Sequence, residues 1–173
     1  LDTGSIDVNT NTPAVPEWSE LTTELSATPK VTALIGPASS TVQGNSTFNV
    51  LPVGSADVTD IDSDYFTVLS DGTIEVTEAG SYLINASFSV QDLSAGDHKY
   101  ILAVFSGTTG TTASQRLGYL ARGFATQPSG TDFFGVSGTF QYYFNAGDTF
   151  RIMYWIENGG VSMTGDRMHI GVT

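Results

Sequence analysis

Cysteine is absent from the 173 residues, which excludes disulfides and thiolate metal centres and leaves the redox compartment open. Charge is sparse at 14%, and one sign is scarce: 6 Lys and Arg stand against 18 Asp and Glu, for a net −12. So few cations, scattered along the sequence, speak against nucleic-acid binding, which needs clustered Lys and Arg. The same balance disfavours an anionic membrane surface, and no apolar run reaches transmembrane length. There is no Gly-x-Ser-x-Gly elbow, no internal repeat and no collagen-like Gly-X-Y run. No signal peptide is visible. Leu1 in place of Met is expected of a fragment or of a chain cut during maturation, and the residues do not choose between the two.

What is present is Gly, Ser and Thr in quantity and 11% aromatic residues, the composition of a turn-rich β protein. The strongest signal is Gly138–Asn158. Gly138, Phe140, Tyr142 and Phe144 alternate with polar residues. After the turn Asn145-Ala146-Gly147-Asp148, so do Phe150, Ile152, Tyr154 and Ile156. A period of two over this length predicts an antiparallel hairpin with one buried face. Tyr143, Met153 and Trp155 stand on the opposite, otherwise polar face. Three large apolar groups there point to a subunit contact; packing under a loop of the same subunit is the other reading.

Further strands are expected at 31–35, 46–53, 65–69, 73–76, 80–90, 98–105, 114–124 and 166–173. The Asp71-Gly72 turn joins the third and fourth of these. Eight to ten strands without a helical period predict an all-β fold, an antiparallel jelly-roll sandwich spanning residues 31–173. The loops at 107–112, 125–131 and 158–166 are candidate recognition surfaces. Residues 1–30 read as an extended N-terminal arm, polar and rich in Asn, Thr and Pro. Within it Pro16–Leu25 is expected to form a short helix with Trp18, Leu21 and Leu25 on one side. Those three could pack on their own domain or dock on a partner.

Candidate chemistry is thin. Asp57, Asp60, Asp62 and Asp64 form the densest carboxylate cluster, with the Asp-x-Asp-x-Asp oxygen spacing of a calcium loop. Tyr65 stands where that loop requires Gly, and Asp71 where it requires Glu. The expectation is a solvated acidic loop without a structural metal. His98 and His169 are expected on the surface, and two histidines without a thiolate make a poor zinc site. Asp148 and Glu157 read as a turn residue and a strand end rather than as a glycosidase pair. The expectation is a protein that is not an enzyme and needs no cofactor.

Two motifs carry a resemblance. One is Tyr65-Phe66-Thr67-Val68 followed by Ala79-Gly80-Ser81-Tyr82-Leu83-Ile84. The other is Phe144-Asn145-Ala146-Gly147-Asp148-Thr149-Phe150-Arg151-Ile152. With the final strand His169–Thr173, these make the sequence similar, over residues 31–173, to the complement globular-head and tumour-necrosis-factor-like trimeric jelly rolls. The resemblance implies a homotrimer. A cysteine-free, acidic, Thr/Gly/Asn-rich version with an arm looks more like the jelly rolls of phage and virus particles. That likeness implies a head decoration, fibre or spike component on the virion surface, with Trp18, Leu21 and Leu25 anchoring it to capsid proteins. The alternative is a secreted or cell-surface module that binds a glycan or a protein.

Overall fold

The computed structural model describes residues 6–9 and 18–21 as paired backbone, together with residues 32–128 and 133–173. Strands β1 (Ile6–Asn9) and β2 (Trp18–Leu21) pair antiparallel in a sheet of their own, Ile6 opposite Leu21 and Asn9 opposite Trp18. The helix expected at 16–25 is therefore not formed where Trp18 and Leu21 lie; Leu25 is outside the described residues. A helix of ten residues makes too few hydrogen bonds to stand unsupported, whereas strand pairing occupies the same backbone groups at once.

Twelve more strands follow: β3 (Thr32–Ile35), β4 (Ser40–Asn45), β5 (Asn49–Val50), β6 (Val58–Asp60), β7 (Phe66–Val68), β8 (Ile74–Val76), β9 (Gly80–Gln91), β10 (Gly96–Ser106), β11 (Arg116–Gln127), β12 (Phe134–Phe144), β13 (Thr149–Gly165) and β14 (His169–Val172). Two short strands exceed the expected number. Of the segment expected as 46–53 only Asn49–Val50 is strand, and Ser40–Asn45 before it is strand too; both run antiparallel to β13, with an irregularity at Ser46 (φ 56°) between them. Part of the acidic loop, Val58–Asp60, pairs with β3.

The strands form two layers. The first runs β12-β9-β14-β3-β6, and the second is built on β11-β10-β13 with β5, β8 and β7 beyond. The layers share β13, which leaves the second after Glu157, turns through Gly159 (φ 57°) and Gly160 (φ 80°), and pairs with β4 and β9 from Ser162 onward. Positive φ at consecutive residues is where glycine is needed. The segment 158–166, expected as a recognition loop, is mostly strand.

Every pairing is antiparallel, and the inward side chains close one core. β9 contributes Tyr82, Ile84, Ala86, Phe88 and Val90, all buried, and β13 answers with Phe150, Ile152, Tyr154 and Ile156. Phe88 stacks on Tyr154 at 4.9 Å and Phe144 on Phe150 at 4.9 Å, one ring from each layer.

β12 and β13 are not a hairpin. Their turn is tight, with Asn145 N–H donating to Asp148 Oδ2 at 2.8 Å, yet β12 pairs with β9 in one layer and β13 with β10 in the other. Two bonds hold the turn to β8: Gly147 N–H to Val76 O and Val76 N–H to Asp148 O. A period of two reports which face is buried, and that face is the same for a hairpin and for an arch between layers. Among the described residues no helix is long and apolar enough to cross a membrane.

Candidate functional site

Since β12 and β13 lie in different layers, Tyr143, Met153 and Trp155 do not share a face. Tyr143 projects from the outer side of the first layer and is 58% exposed, near Leu83, also exposed. Met153 is 2% exposed, in a second small core on the outer side of the second layer with Ala103 and Phe105, covered by Phe48 and Val50. Phe48 meets Phe105 at 4.8 Å. Met153 thus packs inside its own subunit, as a central strand covered on both sides requires. Trp155 is half-buried on the same outer side, with Lys99 Nζ 5.4 Å from its ring centroid.

That outer side gathers most of the chain's cations. Register places Arg122 and Trp155 on either side of Ile101, and Arg116 and Arg151 on either side of Phe105. Of the 6 basic residues in the chain, Lys99, Arg116, Arg122 and Arg151 lie here. Arg151 is buried and structural. Its Nε donates to Gly107 O at 2.9 Å and its Nη2 to Gly110 O at 2.8 Å, which pins one end of the 107–112 loop, a candidate recognition surface in the sequence. Burial pushes its guanidinium pKa down, and Asp71 partly offsets this. Arg116 and Arg122 bracket the Tyr119 ring, at 4.6 and 4.9 Å from its centroid. Phe124, opposite Lys99, is 73% exposed. Spacing along the sequence hides this cluster; only strand register assembles it.

The other sequence candidates have structural employment. His98 is buried rather than on the surface, with Nδ1 2.6 Å from Glu157 O and Nε2 2.7 Å from Ser94 O. Ser94 Oγ donates to Asn158 Oδ1 at 2.6 Å. The three residues tie the 92–96 turn to the bend in β13. With both ring nitrogens held by carbonyl oxygens, His98 is not placed to serve as a base. His169 is half-buried on β14, opposite Ser87 of β9. Asp57 accepts from Gly54 N–H at 2.9 Å and Asp62 from Asp64 N–H at 3.2 Å, so two of the four aspartates cap local turns, while Asp60 sits in β6. Among the described residues no three His, Asp or Glu are grouped to hold a metal ion.

Both halves of the first sequence motif meet in the core. Phe66 packs edge-on to Tyr82 at 5.2 Å, and Tyr82 Oη donates to Glu78 O at 2.6 Å. Solved structures share this architecture. Murine APRIL at pH 5.0 superposes with a TM-score of 0.54 over 83% of this chain and 99% of that one, at 12% identity. The fold is a tumour-necrosis-factor-like jelly roll. Eiger TNF from S. frugiperda gives a TM-score of 0.52 at 14% identity, over 82% of this chain and 89% of its own. The globular domain of zebrafish complement 1qA protein gives 0.50 at 18%, over 84% and 94%. No protein-family model and no curated protein sequence matches the chain. The likeness is therefore one of fold.

Proposed function

We propose that this jelly roll is a non-catalytic homotrimeric head, carried at the end of its N-terminal segment on the outside of a larger assembly. The observation that carries the trimer is the apolar surface around β12, on a protein whose core is closed elsewhere. Tyr143 and Leu83 are exposed on its outer side, and Tyr142, on its inner side beside Phe144, is exposed at the rim. Beside them the rims of the two layers part in a cleft of about 380 Å³ that reaches Leu117 and Phe144. Around it the outer face of the first layer is made of small side chains such as Ser81, Ser137 and Thr139, over which a neighbouring subunit can approach closely. The trimeric family resemblance of the sequence points the same way.

The finer placement, as a decoration, fibre or spike component of a virus or phage particle anchored through Trp18, Leu21 and Leu25, is supported by composition alone: acidity, no cysteine, and a Thr/Gly/Asn-rich chain. One structural observation favours the second reading, a secreted or cell-surface binding module. It is the row of Lys99, Arg116, Tyr119, Arg122 and Phe124 on the outer side of β10 and β11, which lies outside both cores.

Mass measurement by light scattering tests the trimer. The protein should run as three subunits. Tyr143→Asp should give a folded monomer, because it places a charge in an apolar contact. Met153→Ala should keep the trimer and lower the melting temperature, its cavity costing about 2–4 kcal/mol within the subunit. A monomeric wild type, or a Tyr143→Asp trimer of unchanged stability, would overturn the assignment.

A further inference from the structure

The cations on the outer face of the second layer are few, but they are arranged. Arg116 and Arg122 stand three residues before and three after Tyr119 on β11, and both guanidiniums lie over its ring. A guanidinium on an aromatic face uses its flat side and keeps its N–H edge free. Among the described residues no carboxylate pairs with Arg116, Arg122 or Lys99, and no carbonyl accepts from either arginine, although acidic residues outnumber basic ones 18 to 6. The two forks are therefore held in place with their donors unoccupied. Beside them lie the exposed Phe124 ring and Lys99 over Trp155.

These groups form a line. β11 is the outermost strand of its layer, and Arg116, Tyr119, Arg122 and Phe124 follow one another along it over about 25 Å at the usual rise per residue. We propose that this stripe binds an anionic polysaccharide, with the guanidinium forks on its carboxylate or sulfate groups and the Phe124 ring against a sugar face. Charge complementarity selects an anion on an otherwise acidic protein. Repeated cations, separated along one side of a strand, suit an extended polymer better than a compact ligand. Arg–carboxylate and Arg–sulfate pairs gain from the planar two-donor geometry that stacking has already fixed. The proposal goes beyond the trimeric head and does not depend on it, since every residue named lies on one subunit.

The test uses the full chain at low salt with four probes: heparin, polygalacturonate, dextran and poly-glutamate. Heparin or polygalacturonate should be bound, with affinity falling as salt is raised, and dextran should not. Arg116→Gln/Arg122→Gln should weaken binding about ten- to a hundredfold, as loss of charge-assisted bonds predicts, with the trimer mass and melting temperature kept. Arg167→Gln, equal in charge change per site but in a loop elsewhere, should leave affinity as it was. If the double variant is unstable, Lys99→Gln and Phe124→Ser, both at exposed positions, carry the comparison. The proposal fails if neither polysaccharide binds, if Arg167→Gln weakens binding as much as the face variants do, or if the face variants bind as wild type. Poly-glutamate bound as tightly as either polysaccharide would assign the face to an acidic protein instead. Loss of the trimer with polysaccharide binding intact would strike the previous assignment and spare this one.

Discussion

A single buried cation shows how this protein uses side chains where regular structure is missing. Arg151 stands on the outer side of β13 and reaches the carbonyls of Gly107 and Gly110, groups that the 107–110 turn leaves without backbone partners. Arg151→Ala should lower stability by about 1–3 kcal/mol, because a buried cation's two charge-assisted hydrogen bonds to the turn are lost. Arg151→Lys should recover only part of this, since a point charge does not span both carbonyls. Melting curves decide it, and an Arg151→Lys curve matching wild type would show that position alone matters. Asp71 gives a pH-dependent counterpart. The Thr73 backbone N–H, 2.9 Å from Asp71 Oδ1, holds its carboxyl below the usual 3.8. A folded value below the unfolded one means a contribution complete above the ordinary pKa and lost as pH falls through the lowered one. Asp71→Asn should therefore melt below wild type near neutral pH, with the gap closing at pH values well under 3.8. A gap that stays constant with pH would show that the charge contributes nothing.

Between elements, the informative contact is the seam where β11 and β12, rim strands of different layers, come together without pairing. A Cβ on Gly138 would fall on the backbone carbonyl of Leu120, and one on Gly118 would fall into the Phe140 ring. Gly138→Ala should thus force the rims apart and cost about 1–3 kcal/mol as an overpacking change. Gly135→Ala on the same strand, whose nearest neighbour would be Phe88 O at 3.9 Å, should be tolerated. Equal melting temperatures for the two variants would mean that the seam has no such constraint. The strands themselves were legible in the sequence. From β7 to β14 the alternation of Phe66/Val68, Tyr82 to Val90, and Phe150 to Ile156 marks them, and the Asp71-Gly72 turn closes its hairpin as expected. Their partners were not legible, because alternation shows a buried face and not what lies across the ladder. Met153 was misread for the same reason: alternation with the core residues Ile152 and Tyr154 puts it on the outward face, while the cover over that face comes from Phe48, far away in sequence. The cationic stripe was invisible because Lys99 and the arginines are isolated from one another along the chain and meet only through the register of β10, β11 and β13.

At the scale of the whole molecule, the question is what the N-terminal segment contributes. β1 pairs with β2, outside the ladders of the jelly roll. Among the described residues the jelly-roll core, from Leu34 to Val172, is made of residues of 32–173. The segment up to Pro29 carries Asp2, Asp7, Glu17, Glu20 and Glu24 and no basic residue, so removing it also relieves part of the net −12 that repels subunits from one another. A chain of residues 30–173 should therefore fold, keep the mass of the trimer, and melt within a few degrees of the full protein. On the proposed anchoring through Trp18, Leu21 and Leu25, attachment of the head to a larger assembly should be lost with the segment. Melting curves and light scattering on the two lengths, beside cosedimentation with the assembly, separate the possibilities. Unfolding of the shorter chain would make the segment part of the core. A shorter trimer that attaches as tightly as the full one would move attachment onto the jelly roll, with the cationic stripe as the first surface to test.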